Sequence, residues 1–145
     1  MVDRDLILVK AGAVKRHSKR AIKRADVDLS EFLKDIDCQD IVIFNLQMAI
    51  QNCIYIAAHI ISDEDLGIPG STNEMFYTLE ENGYLNKTVT EKMVAAVGFR
   101  NLIVHEYVKL DLKQVHQTAQ KNVLDLNDFL KSIFRKTGIE EMARS

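Results

Sequence analysis

A short stretch of this 145-residue chain combines side chains that phosphodiester chemistry needs. Arg100, Asn101, His105 and Tyr107 occur within an otherwise apolar run. At about 100° per residue along a helix, Asn101 and His105 lie one turn apart on one face, and Arg100 flanks the same ridge. A guanidinium can hold phosphate oxygens and an imidazole can move protons. The spacing therefore favours a site that binds a phosphodiester.

The same residues also have a purely structural interpretation. An isolated histidine on an apolar helix is more often a hydrogen-bonded core residue than a catalytic one. Arg100 could form a structural ion pair with Glu106 or with another carboxylate. On a continuous helix Tyr107 lies two turns from Arg100, which predicts a phenol at the rim of the same cleft. Spacing alone leaves the catalytic and the structural interpretation open.

The elements that must position these residues are predicted to be helices. Apolar residues recur at helical spacing along most of the chain. The predicted helices cover residues 5–25, 38–61, 71–82, 89–108 and 111–136, with a helical turn at residues 30–34 in an acidic connector. Three of their starts carry the capping-box pattern: Ser71 with Glu74, Thr88 with Glu91, and Asp111 with Gln114. We expect one all-α domain over residues 1–145, an antiparallel bundle of four to five helices.

The predicted helix over residues 89–108 has apolar residues on every side. Such a helix is buried all round. In so small a bundle, we expect one face to pack on the core and the other against a second copy of the chain. A two-fold axis near the motif would bring two Arg100 and two His105 side chains into one cleft. The polar motif residues are then expected where water is scarce. Burying polar groups destabilises the fold unless they are hydrogen-bonded, so such residues are expected to have a partner or a function.

The composition narrows the possible fold classes and locations of the protein. Hydrophobic residues make up 47% of the chain and charged residues 28%, and one proline with six glycines argues against an all-β fold. A net charge of −2 gives no global attraction to polyanions. No uninterrupted apolar run approaches the roughly 20 residues of a membrane span, and the acidic N-terminus is unlike a signal peptide. Cys38 and Cys53 are too far apart on one helix to bridge, and two free thiols suit a reducing cytoplasm.

The motif closely resembles the signature of HEPN-domain ribonucleases, in the run GFRNLIVHEY at residues 98–107. It is most similar to the pattern of HepT-type toxins, which are paired with a minimal nucleotidyltransferase (MNT, MntA-type) antitoxin. That pattern is Arg, a polar residue, three mostly apolar residues, His, and Tyr two positions later. The resemblance includes LGIP at residues 66–69 and FYTL at residues 76–79, and extends from about residue 40 to residue 111.

The resemblance implies a dimeric, metal-independent endoribonuclease. By analogy, His105 acts as general acid or base, Arg100 binds and stabilises the phosphoryl group, and Asn101 orients His105 or the phosphate. Tyr107 matches the tyrosine that the nucleotidyltransferase adenylylates to silence the toxin.

The remaining histidines agree with metal independence. His17, His59 and His116 lie on separate segments, and no cluster of Asp, Glu or His has metal-ligand spacing. We therefore expect no metal and no cofactor. Without a metal-activated water, the simplest nucleophile is the 2′-hydroxyl of the substrate, which selects RNA over DNA.

Two functions remain open at this point. The first is a toxin ribonuclease that is neutralised by adenylylation. The second is a non-catalytic helical interaction module that binds a nucleotidyltransferase and is modified by it. The presence of Arg100, Asn101 and His105 in an apolar helix favours the first, because a scaffold would not need them there.

Two features outside the motif stay undecided. Asp40 either lies near the cleft or is an acid favoured by the helix dipole at a helix start. The basic stripe consists of Lys15, Arg16, Lys19, Arg20, Lys23 and Arg24. It either follows an RNA backbone or is a solvated helix face.

Overall fold

The computed structural model describes residues 2–139. Within them the chain forms seven α-helices and two short 3-10 segments, and no β-strand. The helices are α1 (Arg4–Arg24), α2 (Leu29–Phe32), α3 (Ile36–Asp63), α4 (Thr72–Glu81), α5 (Lys87–His105), α6 (Leu112–Gln120) and α7 (Asp125–Thr137). The 3-10 segments are Tyr107–Lys109 and Asn122–Leu124. The predicted all-α class is confirmed, and the helical turn expected in the acidic connector is α2.

Short polar side chains begin most of the helices, as the sequence predicts. The Ser71 hydroxyl accepts a hydrogen bond from the Glu74 N–H at 3.2 Å, and the Glu74 carboxylate accepts one from the Gly70 N–H. Asp111 caps α6. The start of α3 was predicted two residues too late, because the Asp35 carboxylate caps it by accepting from the Cys38 N–H at 3.0 Å.

The helices α1 and α3 are antiparallel neighbours. The N–H of Asp3, at the start of α1, donates to Nε2 of His59 near the end of α3 at 3.2 Å. At the opposite end, the Cys38 thiol donates to the carbonyl of Arg24 at 3.0 Å. The end of α1 and the start of α3 therefore lie together. Both Cys38 and Cys53 are free, as predicted, and both are buried.

The central helix of the core is α3. Its apolar side chains pack with those of α1, α4, α5 and α7, and the largest fully buried residues include Leu46, Ile56, Phe76, Met93 and Phe129. Among the described residues, α3 is the one helix long and apolar enough to cross a membrane by length and composition alone. Since 61% of its most apolar 18-residue stretch is buried inside the bundle, α3 is the core helix.

The last helix differs from its prediction. A single helix was expected over residues 111–136, but α6 ends at Gln120 and a 3-10 segment separates it from α7. The apolar residues of the break, with Val123 buried, continue the core, so hydrophobic spacing alone did not reveal it. The helix α7 ends at Gly138, which adopts the left-handed conformation (φ 72°) that favours glycine.

The helix that carries the motif is shorter than predicted at its functional end. Its cap is Asn86 rather than the Thr88–Glu91 pair, with the Asn86 side-chain oxygen accepting from the Val89 N–H at 2.9 Å. At the other end, Glu106 leaves helical geometry (φ −139°, ψ 45°) and the chain enters a 3-10 turn. Helix α5 therefore ends at His105, and Tyr107 lies outside it.

Candidate active site

One side of α5 packs into the bundle and the other is open. Met93, Val97 and Ile103 are buried in the core, whereas Ala95 and Gly98 are exposed. Burial on all sides, expected from composition, is therefore not found within one chain. The open side carries the small residues Ala95 and Gly98 in the second half of the helix and ends at the motif.

The three motif residues on α5 lie at its last turns, towards solvent. Asn101 and His105 are exposed and one turn apart, and Arg100 is half-buried. The expectation that these groups lie where water is scarce depends on a second copy of the chain and stays a prediction. Within the single chain His105 is exposed, so it is not a hydrogen-bonded residue of the bundle core.

Arg100 is held by its neighbour rather than by an acid. Its Nη1 donates to the side-chain oxygen of Asn101 at 3.0 Å. The Glu106 carboxylate lies instead beside Lys109 Nζ at 3.5 Å, so the alternative ion pair with Arg100 is not formed. Among residues 2–139, the buried Arg100 Nε has no hydrogen-bond partner. A buried donor without an acceptor is costly and marks a position that a ligand oxygen can satisfy.

Tyr107 reaches a residue far away in the sequence. Its hydroxyl donates to Oδ1 of Asp40, on the first turns of α3, at 3.2 Å. The helical-wheel relation of Tyr107 to Arg100 is wrong, because α5 ends before Tyr107. The phenol is nevertheless accessible from solvent, with 50% of the residue exposed.

The surroundings of Tyr107 favour its neutral form. Partial burial raises the pKa of the phenol, and the hydrogen bond to Asp40 and the charge of that carboxylate raise it further. The sequence left Asp40 undecided between the cleft and a helix-start role. Nothing in the sequence could pair two residues that are 67 positions apart.

The other histidines have structural partners. His17 Nδ1 lies 2.8 Å from the Asn45 side-chain oxygen, and His116 Nε2 lies 2.7 Å from the Val27 carbonyl. His59 contacts Asp63 at 3.3 Å. Within the described part of the chain, no group of three or more His, Cys, Asp or Glu side chains could hold a metal ion.

An all-α bundle with Arg, Asn and His on the last turns of one helix, followed by a tyrosine on the next turn, has the features of the HEPN class of helical ribonucleases. Residues 14–133 match the family described as Ribonuclease HepT-like. The mRNA nuclease HepT of Shewanella oneidensis is 36% identical over 129 residues, which cover 89% of this chain and 96% of that protein. The chain belongs to the Ribonuclease HepT-like family.

Solved structures agree with this assignment. The tri-AMPylated Shewanella oneidensis HEPN toxin in complex with MNT antitoxin superposes with a TM-score of 0.82 at 36% identity, over 90% of this chain and 98% of that one. The cytosolic protein YutE from Bacillus subtilis shares the fold, with a TM-score of 0.80 at 16% identity over 99% of this chain and 96% of that one. The predicted HEPN-type endoribonuclease class is thereby confirmed, whereas the roles of the individual residues stay predictions.

Proposed function

We propose that this chain is the toxin of a HEPN/MNT toxin–antitoxin pair, an endoribonuclease that a cognate nucleotidyltransferase silences by adenylylating Tyr107. The observation that carries the proposal is the arrangement at the end of α5. There Arg100, Asn101 and His105 occupy the last turns, and Tyr107 lies on the turn immediately after them. The mRNA nuclease activity of the Shewanella relative and the AMPylation of the related toxin support it.

Arg100 is assigned to the phosphate. Its buried Nε lacks an acceptor among the described residues, and Asn101 holds its Nη1 in place. A phosphate oxygen would supply the missing acceptor through a charge-assisted hydrogen bond. Asn101 acts as a positioning residue, because its side-chain oxygen orients the guanidinium.

His105 is assigned to proton transfer. In the proposed reaction the 2′-oxygen of RNA loses its proton and bonds to the adjacent phosphorus, and the bond from phosphorus to the 5′-oxygen breaks. The products are a 2′,3′-cyclic phosphate and a 5′-hydroxyl that has gained a proton. An exposed imidazole one turn from Asn101 can serve these proton transfers because its two ring nitrogens can accept and donate protons.

Tyr107 is assigned to regulation. Its oxygen would attack the α-phosphorus of ATP, the bond to the departing pyrophosphate would break, and the phenolic proton would leave. The Asp40 carboxylate already accepts the hydrogen bond of that proton at 3.2 Å, which places it to take the proton. The attached phosphate and nucleoside would then occupy the end of α5 and compete with RNA.

A homodimer is the proposed active unit. The open side of α5 exposes Ala95 and Gly98, and a Cβ added at Gly98 would meet no atom within 4 Å. Val104 on the same helix is 43% exposed. A second α5 can approach such a surface closely, and a two-fold axis there would place two copies of the motif side by side.

The cytoplasm is the proposed location, supported by the two free cysteines. The test of the function is incubation of the purified chain with pooled cellular RNA, alone and after treatment with the nucleotidyltransferase and ATP. Cleavage by the untreated chain and none by the adenylylated chain is expected. Adenylylation without any cleavage by the untreated chain would instead establish the non-catalytic interaction module.

A further inference from the structure

The basic stripe forms a largely exposed face of α1. Residues 6–25 contain no Asp or Glu. Five members of the stripe are exposed: Arg16, Lys19, Arg20, Lys23 and Arg24. The described residues provide no ion pair to Arg16, Lys19, Arg20 or Lys23. This concentration of positive charge contrasts with the net charge of −2 of the whole chain.

Exposed aromatic rings of α3 lie along this basic face. Lys10 Nζ is 4.8 Å from the centre of the Tyr55 ring, and the His17 ring meets Phe44 edge to face at 6.1 Å. Phe44 is 54% exposed and Tyr55 is 47% exposed, so both rings remain open to a ligand. A half-exposed phenylalanine beside a row of cations has no role in the core of this bundle.

The α1/α3 face, defined by the basic stripe together with Lys10, Phe44 and Tyr55, leads to the motif. Arg20 and Arg24 follow His17 by one and two turns, so they lie on the side of α1 that faces Phe44. On α3, Asp40 precedes Phe44 by one turn and accepts the hydrogen bond of Tyr107. From Asp40 to Tyr55 the helix rises about 22 Å, enough to carry several nucleotides.

We propose that the α1/α3 face binds a single-stranded segment of the RNA substrate and guides it to the end of α5. Phosphates contact Arg20, Arg24 and their neighbours, and bases stack on Phe44 and Tyr55. This inference rests on the proposed ribonuclease function and adds where, and in which strand state, the substrate is held.

The chemistry of the face favours single-stranded RNA over other partners. Single-strand sites combine a positively charged track with aromatic rings on which bases stack. In a duplex the faces of the bases are hidden, so the rings would have nothing to stack on. A face with cations alone would bind any polyanion. A face that combines cations on one helix with aromatic rings on the next fits a nucleic acid whose bases are unstacked.

The test measures binding separately from cleavage. A His105→Ala parent, which is expected to cut at least about a hundredfold more slowly than wild type, is titrated with a labelled single-stranded RNA of about 16 nucleotides, a number within the range of known single-strand sites, and with the matching duplex. Binding is followed by fluorescence anisotropy between 50 and 200 mM salt. The double variant Arg20→Gln/Arg24→Gln is expected to lower the slope of log affinity against log salt by about 1.4, the value for two lost phosphate contacts on a single strand. Phe44→Leu is expected to weaken binding about five- to hundredfold without changing that slope.

A matched pair of cations provides the control. Lys131 and Arg135 are exposed and one turn apart on α7, a helix that is not part of the α1/α3 face. The double variant Lys131→Gln/Arg135→Gln loses the same charge and is expected to bind RNA like the parent. Equal weakening by both double variants would mean diffuse attraction and would overturn the proposal.

Other outcomes separate this inference from the function on which it rests. If the wild-type chain cuts RNA but the α1/α3 variants bind it like the parent, the proposed face is wrong and the ribonuclease function stands. If these variants no longer bind the nucleotidyltransferase but still bind RNA, the face is a protein interface and the RNA assignment is overturned. If the parent binds no RNA and the wild type cuts none, both proposals fail.

Discussion

The hydroxyl of Tyr107 donates a hydrogen bond to Asp40 across 3.2 Å, joining two residues that are 67 positions apart. The contact ties the turn after α5 to the first turns of α3. It fixes a motif tyrosine that lies outside its helix, and it gives that tyrosine a carboxylate neighbour. The chemistry of this pair can be measured without RNA.

The first prediction concerns the acidity of Tyr107. Burial and the Asp40 carboxylate together raise the pKa of the phenol, since an adjacent anion disfavours phenolate. Asp40→Asn removes the charge and leaves the burial, so the pKa should fall towards its ordinary value while staying above it. At a pH between the two pKa values, the variant should hold more phenolate than the wild type. Absorbance titration near 295 nm measures the phenol pKa, and the Tyr107→Phe variant gives the contribution of the other tyrosines to be subtracted. A pKa that is unchanged or higher in Asp40→Asn would refute the assigned cause.

The second prediction separates regulation from catalysis. Tyr107→Phe removes only the hydroxyl, so it should keep much of the ribonuclease activity and resist silencing by the nucleotidyltransferase and ATP. Intact-mass measurement should show added adenylyl groups on the wild type, and peptide mapping should place them on Tyr107. Modification at another residue, or enzymatic silencing of the phenylalanine variant, would contradict the regulatory assignment.

The third prediction concerns the nucleophile. Within residues 2–139 no acid or histidine cluster could hold a metal ion, and the proposed reaction uses the 2′-hydroxyl of the substrate. Cleavage should survive a chelator and leave a 2′,3′-cyclic phosphate. A substrate with one 2′-deoxy linkage should resist at that linkage and be cut elsewhere. Loss of activity on chelation in a clean preparation would disprove this mechanism.

The fourth prediction concerns the dimer. Val104 lies beside the motif at the end of α5 and is 43% exposed in the single chain, so Val104→Asp should fold but place a charge where the second copy is expected to pack. Light scattering should give about twice 16.5 kDa for the wild type and the monomer mass for the variant, which should also be inactive. Leu124→Asp, an equally exposed position on the 3-10 segment before α7, should remain dimeric. A fully active wild-type monomer at micromolar concentration would contradict the dimeric site.

The sequence predicted the helices well because their signals are local. The capping box of Ser71 and Glu74 and the apolar spacing of α1 and α3 depend on residues within a few turns of one another. The end of α5 could not be predicted in the same way. Val108 continues the apolar pattern, and no glycine or proline lies between His105 and Gly138, so the pattern runs past the point where Glu106 leaves the helix.

The part of the candidate site that depends on local sequence was predicted, and the part that depends on packing was not. Arg100, Asn101 and His105 are close in sequence, and one helix sets their relation. The contact of Asp40 with Tyr107 depends on how α3 and α5 pack, and the exposure of His105 depends on which side of α5 the core covers. Both features depend on tertiary packing, which a local sequence pattern does not reveal.

Cleavage of a defined RNA by wild type and by His105→Ala tests the central claim most directly. His105 is exposed, and no hydrogen bond from its side chain is found within residues 2–139, so its removal should leave helical content and melting temperature close to wild type. Loss of a general acid or base should lower the cleavage rate by about 10² to 10⁴. A folded, dimeric variant with that loss is the predicted result, and a folded variant that cuts RNA at the wild-type rate would contradict the assignment of His105 as the catalytic proton carrier.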